Sequence, residues 1–210
     1  MKKPRLQPRL ILASKSPRRI SLLSALGMPF RVIQVNFRER FPALPPEESA
    51  RQIAWSKAEQ ARQHVPSGIV LTADTLVALN GIMLGKPRTR RQAREMLAQL
   101  SGRTHQVCTA MVLMDARTGN AVIGSQTSGV TIRGLSRKEI ADYVATGEPM
   151  DKAGAYGVQA LGGRLVSRIS GEYYNVAGFP LALFSTLAEK FGVVVPRKRV
   201  RELLAKRMKF

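Results

Sequence analysis

The most constraining stretch of the sequence is L-T-A-D-T-L-V-A-L-N-G-I-M-L-G-K-P, Leu71 to Pro87. Ile69 to Leu71 and Leu76 to Leu79 are apolar enough to be buried strand, yet Asp74 and Thr75 sit between them. A carboxylate in that setting needs a partner, because an unpaired charge in an apolar interior is strongly disfavoured. Asn80-Gly81 is a favoured two-residue hairpin turn, since both positions tolerate positive φ. The chain is therefore expected to fold back through Ile82 to Leu84 and carry Lys86 towards Asp74. Two readings of that acid and base stay open at this point: a pair that does chemistry, and a buried ion pair that only holds the hairpin.

Upstream, Leu10 to Ala13 reads as a short strand followed by S-K-S-P-R-R and a helix carrying Ile20, Leu22, Leu23 and Leu26 to Gly27. Ser16 is the expected N-cap and Pro17 the first helical residue. Arg18 and Arg19 then fall in the first turn, the unfavourable end of the helix dipole for cations unless an anion shares the site. Ser14, Ser16 and the two guanidinium groups make a phosphate receptor one reading of this junction. Exposed arginines of a basic protein are the other. S-P-R-R also resembles a repeated minor-groove motif of histone tails, but it occurs once here, between a strand and a helix.

Phe30 to Val35 reads as a second strand, followed by a proline-punctuated loop whose acid is Glu39. From Pro46 to about His64 the pattern is helical, and Lys57 falls on or beside the apolar side formed by Ala50, Ile53, Ala54, Ala58 and Ala61. It either snorkels to the surface or lines a cleft. After the hairpin come a helix from Arg88 to Leu100, two long strands, Gln106 to Asp115 and Ala121 to Ile132, and a short helix from Ser136 to Ala145 with the capping-box pattern S-R-K-E. A polar loop through D-K-A-G-A-Y-G-V-Q follows. Leu165 to Ile169 and Tyr173 to Val176 are expected to form a last hairpin, and Pro180 to Phe191 a closing helix. His105 and the single cysteine, Cys108, are read as buried structural residues, and Asp151 and Lys152 as an ion pair. Alternating strands and helices with interrupting hairpins imply a mixed sheet and an α/β or α+β fold.

Length and composition enter as bounds. A chain of 210 residues with 44% hydrophobic content can bury a substantial core. It has no apolar run of about 18 residues, the length that a membrane span needs, and its basic start leads into too short an apolar run for a signal peptide. The expectation is a cytoplasmic protein without a membrane partner. Lys and Arg number 34 against 14 Asp and Glu, a net +20, so polyanions are attracted. Part of the excess lies at the two ends, read as solvated basic tails over 1–9 and 193–210 around one domain over 10–192.

Taken together, S-K-S-P-R-R at 14–19, Glu39, the A-x-x-K-A ending at Ala58, A-D-T at 73–75, G-K-P at 85–87, S-G-R-T-H at 101–105, D-K-A-G-A-Y-G-V-Q at 151–159 and G-E-Y-Y-N-V-A-G-F-P at 171–180 resemble the Maf family of nucleoside triphosphate pyrophosphatases. The resemblance implies an inosine triphosphate pyrophosphatase-like fold, with two lobes and a central cleft. It implies hydrolysis of a nucleoside triphosphate to the monophosphate and pyrophosphate, with Asp74 as proton acceptor and Lys57 and Lys86 as catalytic cations. Arg18, Arg19, Ser14 and Ser16 would bind substrate, and a divalent cation, Mg²⁺ or Mn²⁺, would sit on Glu39 and Asp74. Within the family the sequence is most similar to the branch acting on dTTP and UTP, in which Arg18, Thr75 and Gln159 match positions linked to specificity. A homodimer is implied, and nucleic acid is not required. The alternatives are a 7-methyl-GTP pyrophosphatase of the same family, and a non-catalytic nucleic-acid or septum-associated binding protein. Two departures from the family pattern are Arg38 before Glu39, where acids are usual, and G-F-P at 178–180, where G-L-P is usual.

Overall fold

The computed structural model describes residues 9–37 and 43–207. Their fold is mixed α/β. A seven-stranded sheet runs in the order β2 (Phe30–Ile33), β1 (Leu10–Ala13), β3 (Ile69–Leu79), β5 (Thr104–Asp115), β6 (Ala121–Ile132), β7 (Val166–Ser170), and β4 (Ile82–Leu84) also pairs with β3. β1 is parallel to β2 and β3, and the remaining pairs are antiparallel. Asn80 and Gly81 turn the β3–β4 hairpin with φ of 51° and 80°, the left-handed pair that a type I′ turn requires. No described helix is long and apolar enough to cross a membrane.

The register around β3 creates the opening that matters for function. One edge of β3 pairs with β5 from Ile69 to Ala78. Along the other edge, β1 pairs with Ile69 to Leu71 and β4 with Val77 to Leu79. Residues 72–76 are thus bordered by strand on one side only, beyond the C-terminal end of β1, a place where α/β sheets commonly bind ligands.

Alternation along β3 sends its residues to two faces. On one face Leu76 packs with Cys108, Ala110, Val112 and Met114 against the alanine-rich side of helix α2 (Pro46–Arg62). On the other, Ile69, Leu71 and Ala73 join a core with α1 (Pro17–Ala25) and α6 (Leu181–Lys190), whereas Val77 and Leu79 join a second core with α3 (Arg90–Leu100) and α4 (Arg137–Ala145). Between these cores Thr75 and Thr109 are register partners, and their hydroxyls lie 2.9 Å apart. Two apolar clusters thus share one sheet face, separated by a polar pair.

Ser16 caps α1 by accepting from the Arg19 N–H, with Pro17 first in the helix, and Ser136 and Glu139 form a reciprocal capping box on α4. Three segments differ from expectation. β2 ends at Ile33. Tyr173–Val176 is a short helix, α5, instead of a strand: the Asn175 amide donates to the Val107 carbonyl and Ser128 Oγ, and Tyr173 and Tyr174 bury their rings in the first core. Tertiary contacts here override the aromatic pattern that suggests a strand. The C-terminal segment read as a solvated tail is a helix, α7 (Arg197–Arg207), with Val200 buried in the first core and Leu203 and Leu204 packed against it.

Phe179, at the unusual position of the G-F-P motif, is fully buried, and its ring centroid lies 5.2 Å from that of Phe184. Phe179→Leu is expected to cost only about 1 kcal/mol, because most of the apolar volume is retained, whereas Phe184→Ala should cost about 3–5 kcal/mol. Urea unfolding of both variants checks this; equal losses would show that the aromatic at 179 is itself required.

Candidate active site

A cleft of about 820 Å³ opens at the unpaired stretch of β3. Its walls are the β1–α1 junction, the segment after β2, Lys57 of α2, residues 73–77, Gly85 and Lys86 after β4, and the 151–158 loop. Of the residues singled out from the sequence, Ser14, Ser16, Arg18, Arg19, Lys57, Asp74, Thr75 and Lys86 all line it. Glu39 lies outside the described residues. Gln159 is exposed, immediately after the lining residues Gly157 and Val158.

Asp74 is 5% exposed, and its Oδ1 accepts a charge-assisted hydrogen bond from Lys57 Nζ at 2.6 Å. The sequence pointed to Lys86 as the partner. The hairpin does bring Lys86 to the cleft, but even-numbered β3 residues face α2, so α2 supplies the ammonium that contacts the carboxylate. Lys57 thus lines a cleft instead of snorkelling, and its Nζ sits 5.3 Å from the Phe37 ring centroid, within cation–π range.

Arg18 and Arg19 diverge. Arg19 donates through Nε to the Gly178 carbonyl at 3.0 Å, through Nη1 to the Ala73 carbonyl at 2.8 Å and through Nη2 to Thr75 Oγ1 at 3.1 Å. It braces the β1–α1 junction against β3 and the turn before α6. Gly178 accepts this approach with φ of 92°, and an added Cβ would lie 3.2 Å from Thr75 Oγ1. Arg18 reaches across the cleft to Asp151, Nη1 to Oδ2 at 3.9 Å. Asp151 is in turn held by Lys152 at 2.7 Å, the ion pair expected from the sequence. Burial works to raise the Asp151 carboxyl, but the Lys152 ammonium and the Arg18 guanidinium outweigh it and keep it below the usual range.

Sequence reasoning gave no role to Lys15 and Tyr156, which line the cleft, or to Glu148 behind it. Lys15 Nζ donates to Asn36 Oδ1 at 2.7 Å; the contact spans 21 residues and leaves no local signal. Glu148 organises the loop that carries Asp151: its carboxylate accepts from Tyr143 Oη and from the N–H groups of Leu161 and Gly162, and its carbonyl accepts from Lys152 Nζ. Tyr156 lines the cleft and pairs at 2.7 Å with buried His105 Nε2. Burial pushes the Tyr156 hydroxyl well up and His105 down to about 4, so His105 is neutral near pH 7 and its Nε2 can accept a hydrogen bond from the Tyr156 hydroxyl. This fits the structural role expected for His105.

The donor set can be tested against a divalent cation. No group of three His, Cys, Asp or Glu side chains clusters among the described residues, which do not include Glu39. Mg²⁺, however, typically takes one or two carboxylates and completes its shell with phosphate oxygens and water. Asp74 in a cleft ringed by cations matches that pattern, so the residues fit a metal that arrives with a phosphorylated ligand.

Residues 9–191 match the family described as Maf-like protein. The chain belongs to that family. Its relatives include proteins named dTTP/UTP pyrophosphatase from Moorella thermoacetica, 44% identical over 89% of this chain and 97% of theirs, from Bdellovibrio bacteriovorus, 44% over 89% and 100%, and from Yersinia pestis, 45% over 87% and 92%. Among solved structures, the Staphylococcus aureus Ham1 protein aligns with 96% of this chain and 98% of its own at 15% identity and a TM-score of 0.45, a likeness too loose to carry an argument.

Two outcomes follow from the geometry of the cleft. Lys57→Met strands Asp74 without its ammonium and is expected to lower stability by about 3 kcal/mol, while adding Asp74→Leu should recover most of the loss; urea unfolding of the single and double variants reads this, and no recovery would mean that the loss comes from elsewhere. For His105, the folded value lies below the ordinary 6.5, so the unfolded chain takes up the proton first on acidification. The resulting stability, about 3 kcal/mol, is fully present above pH 6.5 and is lost as pH falls towards 4. His105→Asn should flatten the stability profile across that window, and an unchanged slope would contradict it.

Proposed function

We propose that this Maf-like protein hydrolyses dTTP and UTP to the monophosphate and pyrophosphate, and that residues 14–19, 57, 74–75 and 86 do the work. The observation that carries the reading is Asp74 itself: a carboxylate on the unpaired stretch of β3, held by Lys57 in a cleft that Lys15, Arg18 and Lys86 also line. A triphosphate brings about four negative charges, and cations from separate segments can grip it at several points. The relatives named for dTTP and UTP support the substrate class.

In this reading a water attacks the α-phosphorus, Asp74 accepts its proton, and the bond to the bridging oxygen breaks to release pyrophosphate. Lys57 fixes the orientation of the Asp74 carboxylate. Arg18 and Lys86 neutralise the departing phosphates, and Ser14 and Ser16 hold the junction from which Arg18 projects, since Ser14 Oγ accepts from the Ser16 N–H and Ser16 Oγ from the Arg19 N–H. Arg19 positions Thr75 and the β3 edge. Asp74, with phosphate oxygens, would hold a Mg²⁺ or Mn²⁺ ion, which supplies charge neutralisation of the triphosphate when bound. Gln159 offers a donor and an acceptor to the mixed edge of uracil or thymine. A cytoplasmic homodimer belongs to the same reading through the family resemblance.

The test is pyrophosphate release with Mg²⁺ or Mn²⁺ across dTTP, UTP, CTP, GTP and 7-methyl-GTP. Turnover of dTTP and UTP is expected, and Asp74→Asn should lower kcat by about 10² to 10⁴. Turnover chiefly of 7-methyl-GTP would overturn the base assignment given to Gln159. A folded protein that turned over no nucleotide would overturn the reading as a whole.

A further inference from the structure

The family match ends at residue 191, and the 19 residues beyond it hold seven Lys or Arg against one Glu, net +6 of the chain's +20. The structure gives the described part of this segment, through residue 207, a definite form. The buried and packed positions of α7, Val200, Leu203 and Leu204, fall on one side of the helix, and the Tyr174 hydroxyl donates to the Leu203 carbonyl at 3.0 Å. The opposite side carries Lys198, Arg201 and Lys206, all exposed. Arg197 is paired with Glu189 at 2.8 Å and Arg199 with Glu202 at 3.2 Å. Lys198, Arg201 and Lys206 have no acidic partner among the described residues.

Docking α7 on the core explains its apolar side but not this cationic one. Fixing like charges along one face of a helix works against stability, and solubility alone does not require them to be ordered. We propose that the outer face of α7 is a docking surface for the phosphate backbone of double-stranded nucleic acid, separate from the cleft. Eight helical steps from Lys198 to Lys206 span about 12 Å. Duplex DNA presents one charge per roughly 1.7 Å of axis, so a surface of that length faces several phosphates. An anionic membrane is the less suitable polyanion. Interfacial helices bury an apolar face in lipid, and the apolar side of α7 is already occupied by the protein core; Val194, before the helix, is the large apolar side chain exposed in this segment among the described residues. Such contacts read backbone rather than sequence.

The test uses the full chain and a 20-base-pair DNA duplex, with fluorescence anisotropy read from low to moderate salt. Lys198→Gln/Arg201→Gln/Lys206→Gln is expected to weaken binding at least tenfold at low salt and to make the plot of log K against log salt shallower by about 2.7, that is, about 0.9 for each of three phosphates. Nucleotide turnover and the melting temperature should stay at the wild-type level, and saturating dTTP should not displace the duplex. Each single variant, expected to change the slope by about 0.9, keeps the test decisive if the triple variant does not fold. The proposal is overturned if the wild-type protein does not bind the duplex, if affinity and slope are unchanged in the variants, if dTTP competes, or if phosphatidylglycerol vesicles bind α7 and the duplex cannot displace them.

Discussion

The contact between Lys57 Nζ and Asp74 Oδ1 is the interaction on which the rest of the site depends. A nearly buried carboxylate in an 11-residue strand that is otherwise almost wholly apolar or small is tolerable only beside a cation. The ammonium comes from α2, which packs across that face of the sheet through alanines and so brings its backbone close enough for a lysine to reach. The same carboxylate also requires access from outside. The sheet provides it by ending β1 at Leu71 and starting β4 at Val77 of the β3 register, so that five residues of β3 have open space on one flank. An unpaired strand edge is usually a hazard for aggregation; here the cationic loops that form the cleft walls stand over it.

Much of this was legible in the sequence because the signals were local. Asn80-Gly81 fixes its hairpin within two residues, and Ser16-Pro17 and the Ser136/Glu139 box set helix starts within four. The motif residues at 14–19, 57, 73–75, 85–86, 151–153 and 156–158 gather around one cleft although nothing local says that they meet. What local reasoning could not supply was the choice among cations for Asp74. Hairpin proximity favoured Lys86, whereas side-chain direction, alternating along β3, selected Lys57. Two aromatic residues before Asn175 suggested a strand, and the buried amide of Asn175 bound to Val107 and Ser128 made a helix of it. The basic C-terminus looked like tail because charge dominates its composition; three apolar residues at helical spacing were enough to dock it.

The charge of the molecule is also divided by geometry. Cations in the cleft face inward to a site bounded by Asp74 and Asp151, where a small polyanion can be enclosed. Those on α7 lie on a convex surface without such walls, where only an extended polyanion could meet several at once. The excess of +20 is therefore not one property with one explanation, and long-range attraction of anions to the molecule need not deliver them to the same place.

Adjacent arginines illustrate how finely the fold separates roles. Arg19 donates hydrogen bonds at 2.8–3.1 Å to the Gly178 and Ala73 carbonyls and to the Thr75 hydroxyl, so moving it would unfasten α1 from β3 and from the turn at Gly178. Arg18, one residue earlier, is about a third exposed and meets Asp151 at 3.9 Å. A partly solvated pair at that distance contributes at most about 1 kcal/mol. A phosphate offers shorter, bidentate, charge-assisted bonds, so Arg18 can exchange Asp151 for a triphosphate at little cost while its neighbour stays fixed. The helix N-terminus that makes both arginines unfavourable in isolation thus holds one as structure and leaves the other available to an anion.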